Sequence, residues 1–224
     1  MKPSYIFLLR LCCVVGLLIT SPAIAQKKTS PDLATLAQDP KIVVVNRSAT
    51  ALSEGPQKGV RLDQRPGEGL LWLPDVTFTN GSIEFDVRGK DVLQQSFVGI
   101  AFHGQNDSTY EAVYFRPFNF RSEDPVRRIH AVQYISHPTY SWQKLRTEFP
   151  NKYEAAVAPA PDPNGWFHVR IEVTGSNVRA FVNQSTTAAL EVEPIQKRPG
   201  NRIGLWVGNA SGGDFANLTI TPVP

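Results

Sequence analysis

The sequence is poor in residues that staple or anchor a chain. Its two cysteines, Cys12 and Cys13, stand side by side near the N-terminus, inside a segment that has the form of a removable export signal. Lys2 and Arg10 supply positive charge, Leu11 to Ile19 an apolar run, and Ala23-Ile24-Ala25 a small-residue cleavage site before Gln26. Residues 1–25 are therefore expected to leave as a signal peptide, and both cysteines leave with them. A mature chain without cysteine has neither a disulfide nor a cysteine-ligated metal to hold it. The apolar run is shorter than the about 20 residues that span a bilayer. The expected location is secreted or periplasmic, with no membrane span after cleavage.

An excess of one charge sign is also missing. The chain carries 23 basic and 20 acidic side chains, and loss of Lys2 and Arg10 leaves 21 against 20. That balance argues against nucleic acid as a partner. Histidine is scarce, and His103, His130, His137 and His168 show neither H-x-H nor H-E-x-x-H spacing, so a transition-metal site is not expected. No G-x-S-x-G elbow marks a serine nucleophile, and no glycine-rich loop marks a phosphate site. Stability must come from a packed core, which about 200 residues supply as one domain.

What the chain has is turn residues, 16 Gly and 18 Pro, between short alternating segments. Residues 26–40 form a polar N-terminal tether with one helical turn near Leu33 to Ala37, and residues 41–224 a single domain. Ile83, Phe85 and Val87 alternate with Glu84, Asp86 and Arg88, the period of a half-buried strand. Ile42 to Val45, Phe97 to Phe102, Tyr110 to Phe115 and His130 to Ile135 are further strand candidates. Val169, Ile171 and Val173, the turn Gly175-Ser176-Asn177, and Val178, Ala180 and Val182 predict a hairpin. Asn201 to Val207 and Phe215 to Ile220 follow as strands. The pattern predicts an all-β sandwich or barrel. Arg116 to Gly165, rich in proline, charge and aromatics, is expected to be long loops around one or two strands, where function concentrates.

The order of Gly165-Trp166-Phe167-His168-Val169-Arg170, Val178-Arg179-Ala180-Phe181-Val182-Asn183, Gly200-Asn201-Arg202-Ile203-Gly204-Leu205-Trp206 and Phe215-Ala216-Asn217-Leu218 resembles the closing strands of the concanavalin A-like lectin/glucanase superfamily. Laminin G-like and keto-disaccharide hydrolase-like domains belong to this group. Asn80 to Val87 resembles an early strand of the same fold. The resemblance implies a concanavalin A-like jelly-roll β-sandwich of two antiparallel sheets. It also implies a poly- or oligosaccharide partner, without fixing whether the domain binds, cleaves or only interacts.

Three constellations could carry chemistry. Glu84 and Asp86, at i and i+2, share one strand face, as the acid/base and nucleophile do in some glucanases of this fold. Position 89 is Gly, so the third carboxylate of their Glu-x-Asp-x-x-Glu pattern is missing, and an ordinary solvent-facing strand also explains the pair. The second is a polar-aromatic cluster of Tyr114, Arg116, Asn119, His130, Gln133, Tyr134, Trp142 and Arg146. Flat rings suit sugar C–H faces, and planar donors and acceptors suit hydroxyls; the alternative is that the rings are core and the arginines rim. Glu111, Glu123 and His130 are further acid/base candidates for a glycoside hydrolase or polysaccharide lyase using the same groove. The third is Asp214, which with nearby backbone oxygens could ligate a structural Ca²⁺, although Gly212-Gly213-Asp214 also suits a turn. No other cofactor is expected, and the chain is expected to be a monomer.

Overall fold

A computed structural model describes residues 28–223; the expected export signal, residues 1–25, lies outside the described residues. The chain is a sandwich of two seven-stranded antiparallel sheets. The first sheet contains β1 (Val43–Val45), β4 (Gly69–Thr77), β6 (Val98–Asn106), β7 (Thr109–Phe115), β8 (Val132–His137), β9 (Glu154–Ala155) and β13 (Arg202–Val207), in the order β1-β4-β13-β6-β7-β8-β9. The second contains β2 (Ala49–Glu54), β3 (Gln57–Arg65), β5 (Gly81–Arg88), β10 (Phe167–Val173), β11 (Val178–Val182), β12 (Leu190–Val192) and β14 (Ser211–Pro222), in the order β12-β11-β10-β5-β14-β3-β2. This is the jelly roll expected from the alternation and the resemblance.

Alternation explains the layers. In β5, Ile83, Phe85 and Val87 are fully buried, while Glu84, Asp86 and Arg88 are half-buried on the opposite face. The predicted hairpin forms as β10 and β11, with Val169 opposite Val182 and Val173 opposite Val178. Across the sandwich, Phe115 meets Phe167 edge-on with ring centroids 5.5 Å apart. That contact fixes orientation: Glu111, Val113 and Phe115 of β7 face the other sheet, and Tyr110, Ala112 and Tyr114 face away from it.

The segment from Arg116 to Gly165 carries more regular structure than a loop reading implies. Besides β8 and β9 it forms α2 (Pro117–Phe120), α3 (Pro125–Arg128) and α4 (Trp142–Glu148). Asp124 caps α3 by accepting from the Val126 amide, and Ser141 caps α4 by accepting from the Lys144 amide. Residues 28–39 are docked on the sandwich: Thr29 pairs with Ile220, and Asp32 caps α1 (Leu33–Leu36), whose Leu33 is buried in the core.

Candidate functional site

Strand register assembles a row of side chains on the outward face of the first sheet. Trp206 lies opposite Gly99, Gly99 opposite Tyr114, Tyr114 opposite Gln133, and Gln133 opposite Glu154. Gly99 has a structural reason. A Cβ there would lie 2.2 Å from the Val113 carbonyl oxygen and 2.6 Å from the Tyr114 Cα. With no side chain between them, the Trp206 and Tyr114 rings approach to 4.7 Å between centroids, tilted by 35°.

Arg116, at the N-cap of α2, reaches into this row. It donates to the Tyr114 hydroxyl at 2.7 Å, to Gln133 Oε1 at 2.5 Å and to the His130 carbonyl at 2.9 Å. Burial pulls the guanidinium pKa below its usual value, yet an arginine keeps its charge. Burial likewise pushes the Tyr114 hydroxyl up to about 12. The counter-charge is Glu154, which accepts from Arg146 Nε and Nη2 at 2.8 and 2.7 Å. Its Oε2 also lies 2.8 Å from His130 Nδ1 and 3.9 Å from Arg116 Nη1. The His130 ring is not aligned for a hydrogen bond to it, and burial lowers the His130 pKa. Gln133 is fully buried, and its amide nitrogen has no hydrogen-bond partner.

A second group adjoins the row. Trp206 Nε1 donates to the Tyr110 hydroxyl at 3.2 Å, and that hydroxyl donates to Glu68 Oε2 at 2.6 Å. His137 Nε2 lies 3.2 Å from Glu68 Oε1. Burial alone would raise the Glu68 pKa, but the His137 and Tyr110 contacts outweigh it and hold the carboxyl below its usual value. The Trp206, Tyr114 and Tyr110 rings are buried, so in this group it is the Glu68–His137 pair that reaches solvent and can exchange a proton with a bound molecule.

The fold thus brings together Tyr114, Arg116, Asn119, His130, Gln133 and Arg146. Asn119 joins them by donating to the His130 carbonyl at 3.2 Å and accepting from Arg127 Nε at 3.2 Å. Trp142 is exposed, with the Arg146 guanidinium 4.9 Å from its ring centroid. Tyr134 neighbours Val113 on the inward face, as Glu111 does on β7, so neither shares this surface. Glu123 is exposed, at the turn before α3.

Glu84 and Asp86 lie on the other sheet, where they flank one imidazole: His168 Nδ1 is 2.8 Å from Asp86 Oδ1, and Nε2 is 3.6 Å from Glu84 Oε2. Asp214 is likewise on that sheet, in β14. Both its oxygens are engaged, Oδ1 by Arg61 and Oδ2 by Arg61 and Arg88, so its carboxylate serves as a counter-ion to two guanidiniums. Among the described residues no group of three or more His, Cys, Asp or Glu is placed to hold a metal ion.

Three residues of the outward surface have no motif to announce them. Glu154 follows an ordinary loop, Glu68 lies in a Pro-Gly-Glu-Gly turn, and Trp206 is marked only by alternating with the core residues Leu205 and Val207.

Comparison with solved structures places the fold among known jelly rolls. The carbohydrate-binding module CBM66 from Bacillus subtilis aligns with a TM-score of 0.54 at 14% identity, over 80% of this chain and 94% of its own. A protein of unknown function with a galectin-like fold, also from Bacillus subtilis, aligns at 0.56 and 10% identity, over 88% and 95%. The Ca²⁺-bound exoplasmic/lumenal domain of VIP36 aligns at 0.53 and 9%, over 83% and 85%. No curated protein matches the chain. The 3-keto-alpha-glucoside-1,2-lyase-like domain matches residues 43–221. A domain of the concanavalin A-like superfamily, the chain belongs to the 3-keto-alpha-glucoside-1,2-lyase-like family.

Proposed function

We propose that the chain is an exported glycan-binding domain whose site is the outward face of the first sheet. The row Trp206–Tyr114–Gln133–Glu154 carries this reading. At most 4% exposed itself, it joins rings to planar hydrogen-bonding groups, one of them unsatisfied. It meets solvent through Arg146, held on Glu154, and the exposed Trp142 ring beside it. An amide with no partner at full burial costs about 1–3 kcal/mol; a ligand hydroxyl can accept its hydrogen bond and offset that. The export signal read at residues 1–25 supports location outside the cytoplasm; among the described residues no helix is long and apolar enough to cross a membrane. The likeness to a carbohydrate-binding module supports the ligand class.

The Glu68–His137 pair favours a second reading, in which the same face also catalyses. The family is named for lyase action on 3-keto-α-glucosides. In such an elimination a base removes a C–H proton beside the keto group and an acid protonates the departing oxygen. A half-exposed carboxylate beside an imidazole is suited to those two tasks.

A glycan array with parallel release assays on glucosides and 3-keto-glucosides tests both readings. Binding that Arg146→Ala and Trp142→Ala weaken, without turnover, supports the module alone. Turnover that Glu68→Gln abolishes while binding survives supports the lyase. Neither binding nor turnover across neutral, uronic, sulfated and 3-keto glycans overturns both.

A further inference from the structure

One end of the outward face holds more positive charge than its carboxylate balances. Arg116 and Arg146 share Glu154: both its oxygens accept from Arg146, and Arg116 Nη1 stands 3.9 Å from Oε2. Burial lowers the His130 pKa below 6.5 against the pull of Glu154, and the two guanidiniums add to the effect. Near pH 7 that ring is neutral, so two positive groups face one negative group. Glu68 and His137 lie at the other end of the face. Tyr110 pairs with His137 where Tyr114 pairs with Gln133, four residues and about 13 Å along the strands.

This charge meets solvent at one place. Arg116 is buried, whereas the Arg146 side chain is 34% exposed. Its Nε and Nη2 are spent on Glu154, and among the described residues Nη1 has no hydrogen-bond partner. The guanidinium stands 4.9 Å from the centroid of the exposed Trp142 ring. Helix α4 sets the two side by side, at i and i+4. The ring suits the apolar face of a sugar, and the free guanidinium edge suits an anionic substituent on it.

The residue order shows the same imbalance on a larger scale. Residues 116–155, which span α2, α3, β8, α4 and β9, hold seven basic and four acidic side chains. Of the 21 and 20 that remain after the export signal, this leaves 14 and 16 for the rest of the chain. A chain close to neutrality thus gathers its positive charge around this site. A neutral sugar gains nothing from that field, while an anionic one is attracted over about a Debye length, roughly 8–10 Å in physiological salt.

We propose that the glycan held at Trp142 and Arg146 is an acidic one, whose carboxylate or sulfate group pairs with Arg146 Nη1 while a sugar ring stacks on Trp142. This rests on the glycan-binding reading above and adds the charge of the ligand to it.

The test is isothermal titration calorimetry of the full chain with matched pairs of oligosaccharides. Oligogalacturonate, oligoglucuronate and oligomannuronate are set against their carboxyl-reduced forms, and sulfated galactan fragments against their desulfated forms. At least one acidic member is expected to bind about tenfold tighter than its neutral twin in about 0.05 M NaCl, with the gap narrowing in about 0.5 M. The pair that shows the gap tells uronate from sulfate. Arg146→Gln closes the gap to within about twofold, and Arg146→Lys, which keeps the charge, restores part of it. Where Arg146→Gln does not fold, the salt dependence of the wild-type gap decides. Neutral twins bound as tightly as the acids overturn this inference and leave the glycan-binding reading standing. No binding by either twin of any pair overturns both. An acid preference that survives high salt, or survives Arg146→Gln, also overturns the inference.

Discussion

Arg146 grips Glu154 through both carboxylate oxygens, at 2.8 and 2.7 Å. Glu154 in turn is the acidic partner that faces the buried Arg116. Glu154→Ala is therefore expected to leave a buried guanidinium without its counter-charge and to cost about 3–5 kcal/mol. Arg146→Ala, which removes a partly exposed partner and leaves the Arg116 charge 3.9 Å from the carboxylate, costs less. Urea unfolding midpoints of the two variants check the order, and equal midpoints would contradict it.

Gly99→Ala places a methyl group 2.2 Å from a backbone carbonyl oxygen. Backbone yields less readily than a side chain, so the strands must part. We expect a loss of about 1–3 kcal/mol or more, accompanied by a change in tryptophan fluorescence as Trp206 moves from Tyr114. A variant with native stability and an unchanged spectrum would show that the close approach is not needed.

Phe115→Ala removes the ring that meets Phe167 across the sandwich, at a fully buried position. Truncation of a buried phenylalanine costs about 3–5 kcal/mol. The denaturation midpoint should fall at unchanged slope if the fold stays two-state.

The Asp86 hydrogen bond raises the His168 pKa above 6.5, and its burial works against this. Burial would raise the Asp86 carboxyl, but His168 and Asn217 outweigh it and hold it low. The pair therefore stabilises the fold fully between about pH 3.8 and 6.5, and that contribution is lost as pH rises through the raised His168 value. At the acid end it is lost as Asp86 protonates below its usual 3.8. In Asp86→Asn, the His168 ring resonance should titrate at a lower pH than in the wild type. An unchanged titration would remove Asp86 as the cause.

Trp142→Ala touches an exposed ring, with no core contact to lose. Its stability should stay within about 0.5 kcal/mol of the wild type, while glycan binding weakens. Loss of fold with loss of binding would make the ring structural.

The strands with clean alternation were readable from the sequence, because burial on one face imposes a period of two on β5, β10 and β11. Residues 49–77 were less so: β2 is mostly exposed and β4 is buried along Gly69–Leu73, and neither situation produces alternation. The polar-aromatic cluster was legible as a local concentration of residue types between Tyr114 and Arg146. Glu68 and Trp206 were not, since only strand pairing brings these distant positions beside it. His103 meets the buried Glu111 through a bulge between Phe102 and Asn106, which shifts side-chain direction without leaving a mark in the residue order.

β14 lies between β3 and β5, pairing with both, yet it follows every other strand in the chain. During synthesis the β2–β3 hairpin and the β5–β10–β11–β12 group can each form early, but they cannot join until residue 222 has emerged. Until then two long inner strands carry unpaired backbone edges. Closure of the second sheet is thereby postponed until β14 has been made, and a chain interrupted before residue 211 should be trapped as an aggregation-prone half-sheet.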